Sequence, residues 1–328
     1  MKMECNDISA KGGPTGPRWA VYWHATRPRF LTASIVPVLV GTAAGLATTG
    51  RLDWPMFITA LAGTVLIHAG SNVVNDYYDH LSGNDWVNPS PTPYSGGRQF
   101  IQRGILCPRA TLGLGLLLLA AGGCIGIGIV AYTGSLFILA LGLAGVLGGY
   151  FYTARPIQLG YRGVGEVVIG LLFGLLPVYG SYYLQGRSID GLPLLPGLIL
   201  SALIFLVILI NEFPDRIADQ QVGKRTLVVL FGPSTATRVY RTVLAATVAL
   251  AGWQVCADIA GWAGLMYLLT LPLCIKAFNQ VGLYLAGGAD PLAANATTIK
   301  LHLVGGLCMA IGLVLDGRYT GPITYLRS

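Results

Sequence analysis

Ser201-Ala-Leu-Ile-Phe-Leu-Val-Ile-Leu-Ile-Asn211-Glu212-Phe-Pro-Asp215-Arg-Ile-Ala-Asp219 runs without a break from an apolar stretch into three acids. The apolar part reaches back to Leu192, and segment 192–211 carries no charge. A helix needs roughly 20 such residues to cross the hydrocarbon core of a bilayer. Buried strands of soluble α/β proteins stay apolar for only about 4–8 residues. Eight further segments read the same way: 30–49, 54–75, 110–133, 135–152, 164–184, 239–257, 261–277 and 299–315. Segments 110–133 and 135–152 meet at Thr133-Gly134, which predicts a tight helical hairpin. Segment 278–298 is less apolar and is expected as a loop or interfacial helix.

Composition agrees. Of 328 residues, 54% are hydrophobic and 11% charged, whereas soluble domains carry about 25% charged residues. The runs are too long for β-barrel strands and do not alternate. The expected fold is therefore all-α and polytopic: a cytoplasmic N-terminal segment 1–29, a bundle of nine transmembrane helices over 30–316, and a tail 317–328. Glycines such as Gly113, Gly115, Gly122, Gly123, Gly126 and Gly128 suit close helix approach. With the N-terminus in the cytoplasm, the 21 Lys and Arg residues fall on the cytoplasmic side except Arg51, Arg187, Arg318 and Arg327. That asymmetry is the positive-inside rule, and it puts the C-terminus on the opposite side. The net charge of +7 is thus a matter of topology, and no basic-aromatic patch points to nucleic acid. Residues 1–29 lack the apolar core of a cleaved signal peptide. The six cysteines form no Cys-x-x-Cys pair, so free thiols are expected rather than a zinc site or disulfide framework.

Acids are scarce, 14 in all, yet Asp76, Asp79 and Asp85 follow the second span and Glu212, Asp215 and Asp219 the sixth. Both clusters lie on the side that topology reserves for positive charge. Asn72, Asp76 and Asp79 are spaced by four and three residues, and Asn211, Asp215 and Asp219 by four, so on continuing helices each set shares a face. Aligned carboxylates repel unless a cation intervenes. Mg²⁺ is held by one or two carboxylates together with substrate phosphates. Two acidic faces meeting at one cavity would suit a Mg²⁺-bridged diphosphate. Asn75-Asp76-x-x-Asp79 also matches Asn211-Glu212-x-x-Asp215, as in a duplicated helical unit. The plainer interpretation is a pair of solvated helix ends.

Basic and aromatic residues flank the clusters: Arg98 after the first, Gly223-Lys224-Arg225 after the second, and Tyr152, Arg155, Tyr161, Arg162 and Glu166 between the fourth and fifth spans. Cations there can neutralise a leaving diphosphate, or simply serve topology. Tyr77, Tyr78, Tyr152 and Tyr161 can shield a carbocation or form an interfacial belt. Glu166 is costly in a membrane unless paired or wet. His68 stands one turn before Asn72, where it faces the cavity or packs as a hydrogen-bonded core residue.

At these residues the chain resembles the UbiA superfamily of membrane prenyltransferases, whose motifs are Asn-Asp-x-x-Asp-x-x-x-Asp and Asp-x-x-x-Asp. The second is intact as Asp215 and Asp219. The first is present as Asn75, Asp76 and Asp79, but Gly83 takes the last position and Asp85 follows two residues later. That variant, with Tyr161-Arg-Gly-Val-Gly-Glu166, is similar to the branch acting on 1,4-dihydroxy-2-naphthoate in menaquinone synthesis. The resemblance implies nine helices in the cytoplasmic membrane and Mg²⁺ as cofactor. It implies Asp76, Asp79, Asp85, Asp215 and Asp219 around the metal, with Asp79, Asp215 and Asp219 catalytic. Asn75, Asn211, Lys224, Arg98 and Arg155 would bind the diphosphate. The partners it implies are an isoprenyl diphosphate, an aromatic acceptor and the bilayer; oligomeric state stays open. Other acceptors remain alternatives: 4-hydroxybenzoate, homogentisate, haem, chlorophyllide or a glycerophosphate lipid. An ion-coupled secondary transporter is the rival from another class, since repeats and membrane acids suit one.

Overall fold

The structure, a computed structural model, describes residues 18–88, 92–94, 99–285 and 291–319. Among them the chain is helical and forms no β-strand. Helix α1 (Arg18–Ala25) and a single 3-10 turn (Pro28–Phe30) lead into α2 (Thr32–Thr49), α3 (Trp54–Ser82) and the short α4 (Asn84–Val87). Next come α5 (Pro108–Thr133), α6 (Leu136–Phe151) and α7 (Gly165–Gly170), which passes through a π-helical turn at Leu171–Leu175 into α8 (Leu176–Gly186). The remaining helices are α9 (Leu194–Gln221), α10 (Leu227–Cys256), α11 (Gly261–Leu268), α12 (Leu271–Leu285) and α13 (Pro291–Tyr319). Local chemistry sets several starts: Asp53, Ser135 and Thr226 each accept a hydrogen bond from the N–H three residues on, the usual N-cap arrangement.

Seven helices among the described residues are long and apolar enough to cross a membrane, or eight if α11 and α12, bent by 53°, make one span. The expected spans are modified in four places. The fourth, α6, has only 16 residues, fewer than the roughly 20 of a standard span, yet it runs from Ile138, packed with Met56 near the start of α3, to Tyr150, whose hydroxyl meets that of Tyr78 near the end of α3. The eighth is the broken pair α11–α12. Segment 278–298, expected as a loop or interfacial helix, instead extends α12 to Leu285 and opens α13 at Pro291. The seventh span begins early, at Leu227, with a kink where Gly232 leaves helical geometry and Pro233 follows. Cys107 is disulfide-bonded, against the expectation of free thiols, whereas Cys124, Cys256, Cys274 and Cys308 are free. Lone cysteines give no local signal of pairing.

Helix α9, which holds residues 201–219, is the axis of the fold. Ile199, Leu200, Leu203, Leu206 and Leu209 are fully buried, packed with Val36 and Val40 of α2, Tyr240 and Leu244 of α10, and Leu301 and Met309 of α13. A helix apolar all round belongs in such a place. The outside of the bundle is apolar too: Leu117, Leu136 and Ile311 are exposed. Lipid, not water, suits that surface.

The most extensive helix pair is α3 with α5, and glycine makes it possible. A Cβ at Gly70 would lie 2.8 Å from the Leu119 nitrogen and 2.9 Å from the Gly115 oxygen; one at Gly122 would lie 2.9 Å from the Gly63 oxygen. Of the six glycines singled out in the sequence, Gly115 and Gly122 serve this contact, while Gly113, Gly123, Gly126 and Gly128 face open space. Gly70→Val is therefore expected to destabilise the bundle by about 1–3 kcal/mol through overpacking, and Gly123→Val to leave it unchanged. Thermal unfolding in detergent reads the difference; equal melting of the two variants would contradict this packing.

Candidate active site

Helices α3 and α9, of 29 and 28 residues, are each over 40 Å long at about 1.5 Å per residue. The hydrocarbon core is about 30 Å thick. Both helices thus overrun it, and polar groups gather toward their C-terminal ends: Asn75, Asp76 and Asp79 on α3, and Asn211, Glu212, Asp215 and Asp219 on α9. Unpaired carbonyls already make a helix C-terminus negative, so carboxylates there are doubly disfavoured. Asp76, Asp79, Asp85, Glu212 and Asp219 are nevertheless all buried.

Specific donors offset this. Arg27, in the turn between α1 and α2, pairs with Asp76 and donates to Asn75 Oδ1 at 3.4 Å. Asn75 donates to Asp79 Oδ2 at 3.0 Å. Tyr161 donates to Ser82 Oγ at 3.0 Å and, at 3.4 Å, to Asp79 Oδ1. Lys224 Nζ lies 3.5 Å from Asp219 Oδ1 and 5.8 Å from the centre of the Tyr161 ring.

Gly83 then turns the chain. Its φ of 85° lies in the left-handed region open to glycine, so an aspartate at this position would strain the turn. The turn starts α4, which carries Asn84, Asp85 and, at its end, Asn88. Asn84 Nδ2 donates to Asp219 Oδ1 at 2.7 Å, and Asn88 Nδ2 to Asp215 Oδ1 at 2.8 Å. Two amides one turn apart thereby meet two aspartates one turn apart, and the first cluster is tied to the second. Gln102 donates to Asp85 Oδ2 at 3.1 Å.

Charge is tuned as well. Burial, with Asp79 and Asp76 nearby, pushes the Asp85 carboxyl up to about 8. Burial opposes the Lys224 charge, but Asp219 and Asp79 outweigh it and hold the ammonium well above its ordinary value. One lysine therefore answers an aspartate from each cluster. Burial and Asp79 raise the Tyr161 phenol to about 12, which keeps it a donor.

Among the described residues, no three His, Cys, Asp or Glu side chains come together closely enough to hold a metal ion alone. The donor set still fits Mg²⁺. Asp219 Oδ2 and Asp85 Oδ1 are buried oxygens without a partner. Mg²⁺ also uses few protein carboxylates, completing its octahedron with phosphate and water.

A cavity of about 130 Å³ adjoins the clusters, lined by Arg27, His68, Asn72, Asn75, Tyr152 and Asn211 among others. The structure thus brings Asn75 and Asn211 together, as expected. His68 does both things the sequence allowed: it lines this cavity and is held by Ser34 Oγ at 2.7 Å. Gly149 and Phe173 are shared with a second, mainly apolar cavity of about 130 Å³ between α3, α5, α6 and α8. The two cavities therefore lie side by side. Of the expected basic residues, Lys224 is in place. Arg155 is exposed and makes no hydrogen bond or ion pair with the clusters among the described residues; Arg98 lies outside them. Asp76, expected at the metal, has Arg27 as its partner. Asn84, Asn88, Gln102 and Arg27 were not singled out from sequence. The four-residue spacing of Asn84 and Asn88 was the one available signal.

A model of the UbiA prenyltransferase family matches residues 34–304. The 1,4-dihydroxy-2-naphthoate octaprenyltransferase of Haemophilus influenzae is 32% identical, over 90% of this chain and 96% of that protein. The protein of the same name from Bacillus subtilis is 28% identical, over 95% and 99%. In fold, the chain is similar to a UbiA homologue from Archaeoglobus fulgidus bound to DMAPP and Mg²⁺, with a TM-score of 0.68, 18% identity, and coverage of 90% of this chain and 99% of that one.

Removing the cross-cluster amide tests the geometry. Asn84→Leu is expected to weaken Mg²⁺ binding, measured calorimetrically with pyrophosphate present, by about 10-fold or more, the usual effect of losing a donor behind a metal ligand. Unchanged affinity would show that the Asn84–Asp219 contact is incidental.

Proposed function

Because this chain belongs to the UbiA prenyltransferase family, we propose that it transfers an isoprenyl group from a polyprenyl diphosphate to 1,4-dihydroxy-2-naphthoate, with loss of CO₂, in menaquinone biosynthesis. The observation that carries this reading is the meeting of two carboxylate clusters beside one cavity, with a second, apolar cavity adjoining it. The acceptor is supported by the names of the relatives and by the Gly83–Asp85 variant of the first motif.

In this reading Asp79, Asp85, Asp215 and Asp219 hold Mg²⁺, and Asp76 supports the site through Arg27. When bound, Mg²⁺ supplies positive charge to the diphosphate as its ester bond to the prenyl carbon breaks. Asn75 and Asn211 orient the diphosphate from the cavity wall. Lys224 neutralises charge on the leaving pyrophosphate, which departs with the bonding electrons. The allylic cation left behind faces apolar walls and the Tyr152 ring, where water cannot quench it and aromatic π density stabilises it. The electron-rich ring supplies the electrons of the new C–C bond, and those of the carboxyl bond return to the ring as CO₂ leaves. The apolar cavity takes the isoprenyl tail. The reading places the protein in the cytoplasmic membrane, and the distribution of basic residues supports an N-terminus inside and a C-terminus outside.

Purified protein in detergent, given Mg²⁺, geranylgeranyl diphosphate and 1,4-dihydroxy-2-naphthoate, is expected to form prenylated naphthoquinol and to stop on chelation. Asp79→Ala and Asp215→Ala should each lower turnover by about 10²-fold or more while inserting normally. Near-normal turnover in both variants would sink the site; product from 4-hydroxybenzoate alone would overturn the acceptor.

A further inference from the structure

The reaction just described has no use for Glu166, yet this carboxyl is only 1% exposed. It stands in the first turn of α7, and its Oε1 accepts a hydrogen bond from the backbone N–H of Leu227 at 2.6 Å. Leu227 is the first residue of α10. Its amide is one of those a helix start leaves without an internal partner, at the positive end of the helix. A carboxyl oxygen is the natural acceptor there.

A second link lies close by. The backbones of Arg162 and Arg225 meet in an isolated parallel bridge. Between them the loops are tightly packed. Gly163 has a φ of 75°, and a Cβ on it would approach Leu230 Cδ1 to 2.7 Å. Glu166 and the bridge thus fasten the loop before α7 to the loop before α10 at two points.

Each loop carries one half of a functional pair. Lys224 immediately precedes Arg225, and Tyr161 immediately precedes Arg162. The Lys224 ammonium lies over the Tyr161 ring, and the Lys224 backbone N–H donates to the Asp219 carbonyl at 2.8 Å. The Lys224 side chain is long and flexible, so its reach onto the carboxylates depends on where its loop is held. The second Glu166 oxygen is buried beside the Glu212 carboxyl. Little room is left for water to replace a lost Glu166 bond.

We propose that Glu166 is the positioning residue for Lys224: by holding the start of α10 against the loop before α7, it fixes the ammonium between the two carboxylate clusters. This rests on the assignment of Lys224 to the diphosphate. The effect of Glu166 should therefore run through Lys224 and touch diphosphate binding, not the acceptor.

A double-mutant cycle on the full-length protein tests this, with Mg²⁺ and inorganic pyrophosphate as the calorimetric probe and steady-state kinetics alongside. Glu166→Leu is expected to weaken pyrophosphate binding and raise the KM for the isoprenyl diphosphate by about tenfold, leaving the acceptor KM unchanged. Glu166→Gln, which keeps an acceptor oxygen, should restore most of the loss. In a Lys224→Met background, Glu166→Leu should add less than about a twofold change. Should Glu166→Leu not accumulate as folded protein, Glu166→Asp serves instead: it keeps the carboxyl but is one methylene too short to reach Leu227, and the same pattern is expected. An undiminished Glu166 effect without Lys224, failure of glutamine to rescue, or an equal rise in the acceptor KM would each overturn the inference while leaving the proposed reaction standing. A wild-type protein that binds no pyrophosphate with Mg²⁺ would overturn both.

Discussion

Carboxylates gathered at the negative ends of two membrane helices are the constraint on which this structure turns. Asp79 on α3 and Asp219 on α9 are buried, close to free helix carbonyls and to each other. Such an arrangement is stable only with donors at hand. The protein supplies some itself: Arg27, Lys224, Tyr161 and the amides of Asn75, Asn84, Asn88 and Gln102. It also leaves Asp85 Oδ1 and Asp219 Oδ2 without partners. In the proposed reaction those oxygens are where an incoming cation and its phosphates would complete the balance. Rigid packing around α9, and the glycine contacts of α3 with α5, keep the two acidic helix ends from relaxing apart.

The two halves of the apparent repeat use their acids alike. In Asn75-Asp76-x-x-Asp79 and Asn211-Glu212-x-x-Asp215, the residue after each asparagine does not line the cavity. Asp76 faces Arg27, and Glu212 lies beside Glu166. Asn75 and Asn211 both line the cavity. Residues equivalent in spacing thus divide the same way between holding the framework and facing a ligand.

Much of this was legible in the sequence because it is local. Apolar runs of span length and four-residue spacings are set by one helix at a time, so α2, α3, α5, α9 and α13, and the shared faces of Asp76–Asp79 and Asp215–Asp219, were foreseen. The substitution at Gly83 was also visible, though its reason, a left-handed turn into α4, is conformational. Contacts between distant segments were not legible. Asn84 finds Asp219 across 135 residues and Asn88 finds Asp215 across 127, and no spacing rule connects them. Arg27 looked like one more topology residue until the turn before α2 brought it to Asp76. The bend between α11 and α12 and the shortness of α6 escaped because hydropathy measures apolar length, not direction.

The joint nature of the site is tested most directly by Mn²⁺ electron paramagnetic resonance on the purified protein, with and without an isoprenyl diphosphate. Since no three acidic, His or Cys side chains among the described residues converge to hold a metal by themselves, Mn²⁺ alone should bind weakly. The diphosphate should tighten its binding by about tenfold or more, and Mn²⁺ should tighten diphosphate binding by the same factor. Tight Mn²⁺ binding without the diphosphate, or diphosphate binding that survives chelation unchanged, would contradict a metal and a diphosphate held jointly between the two clusters.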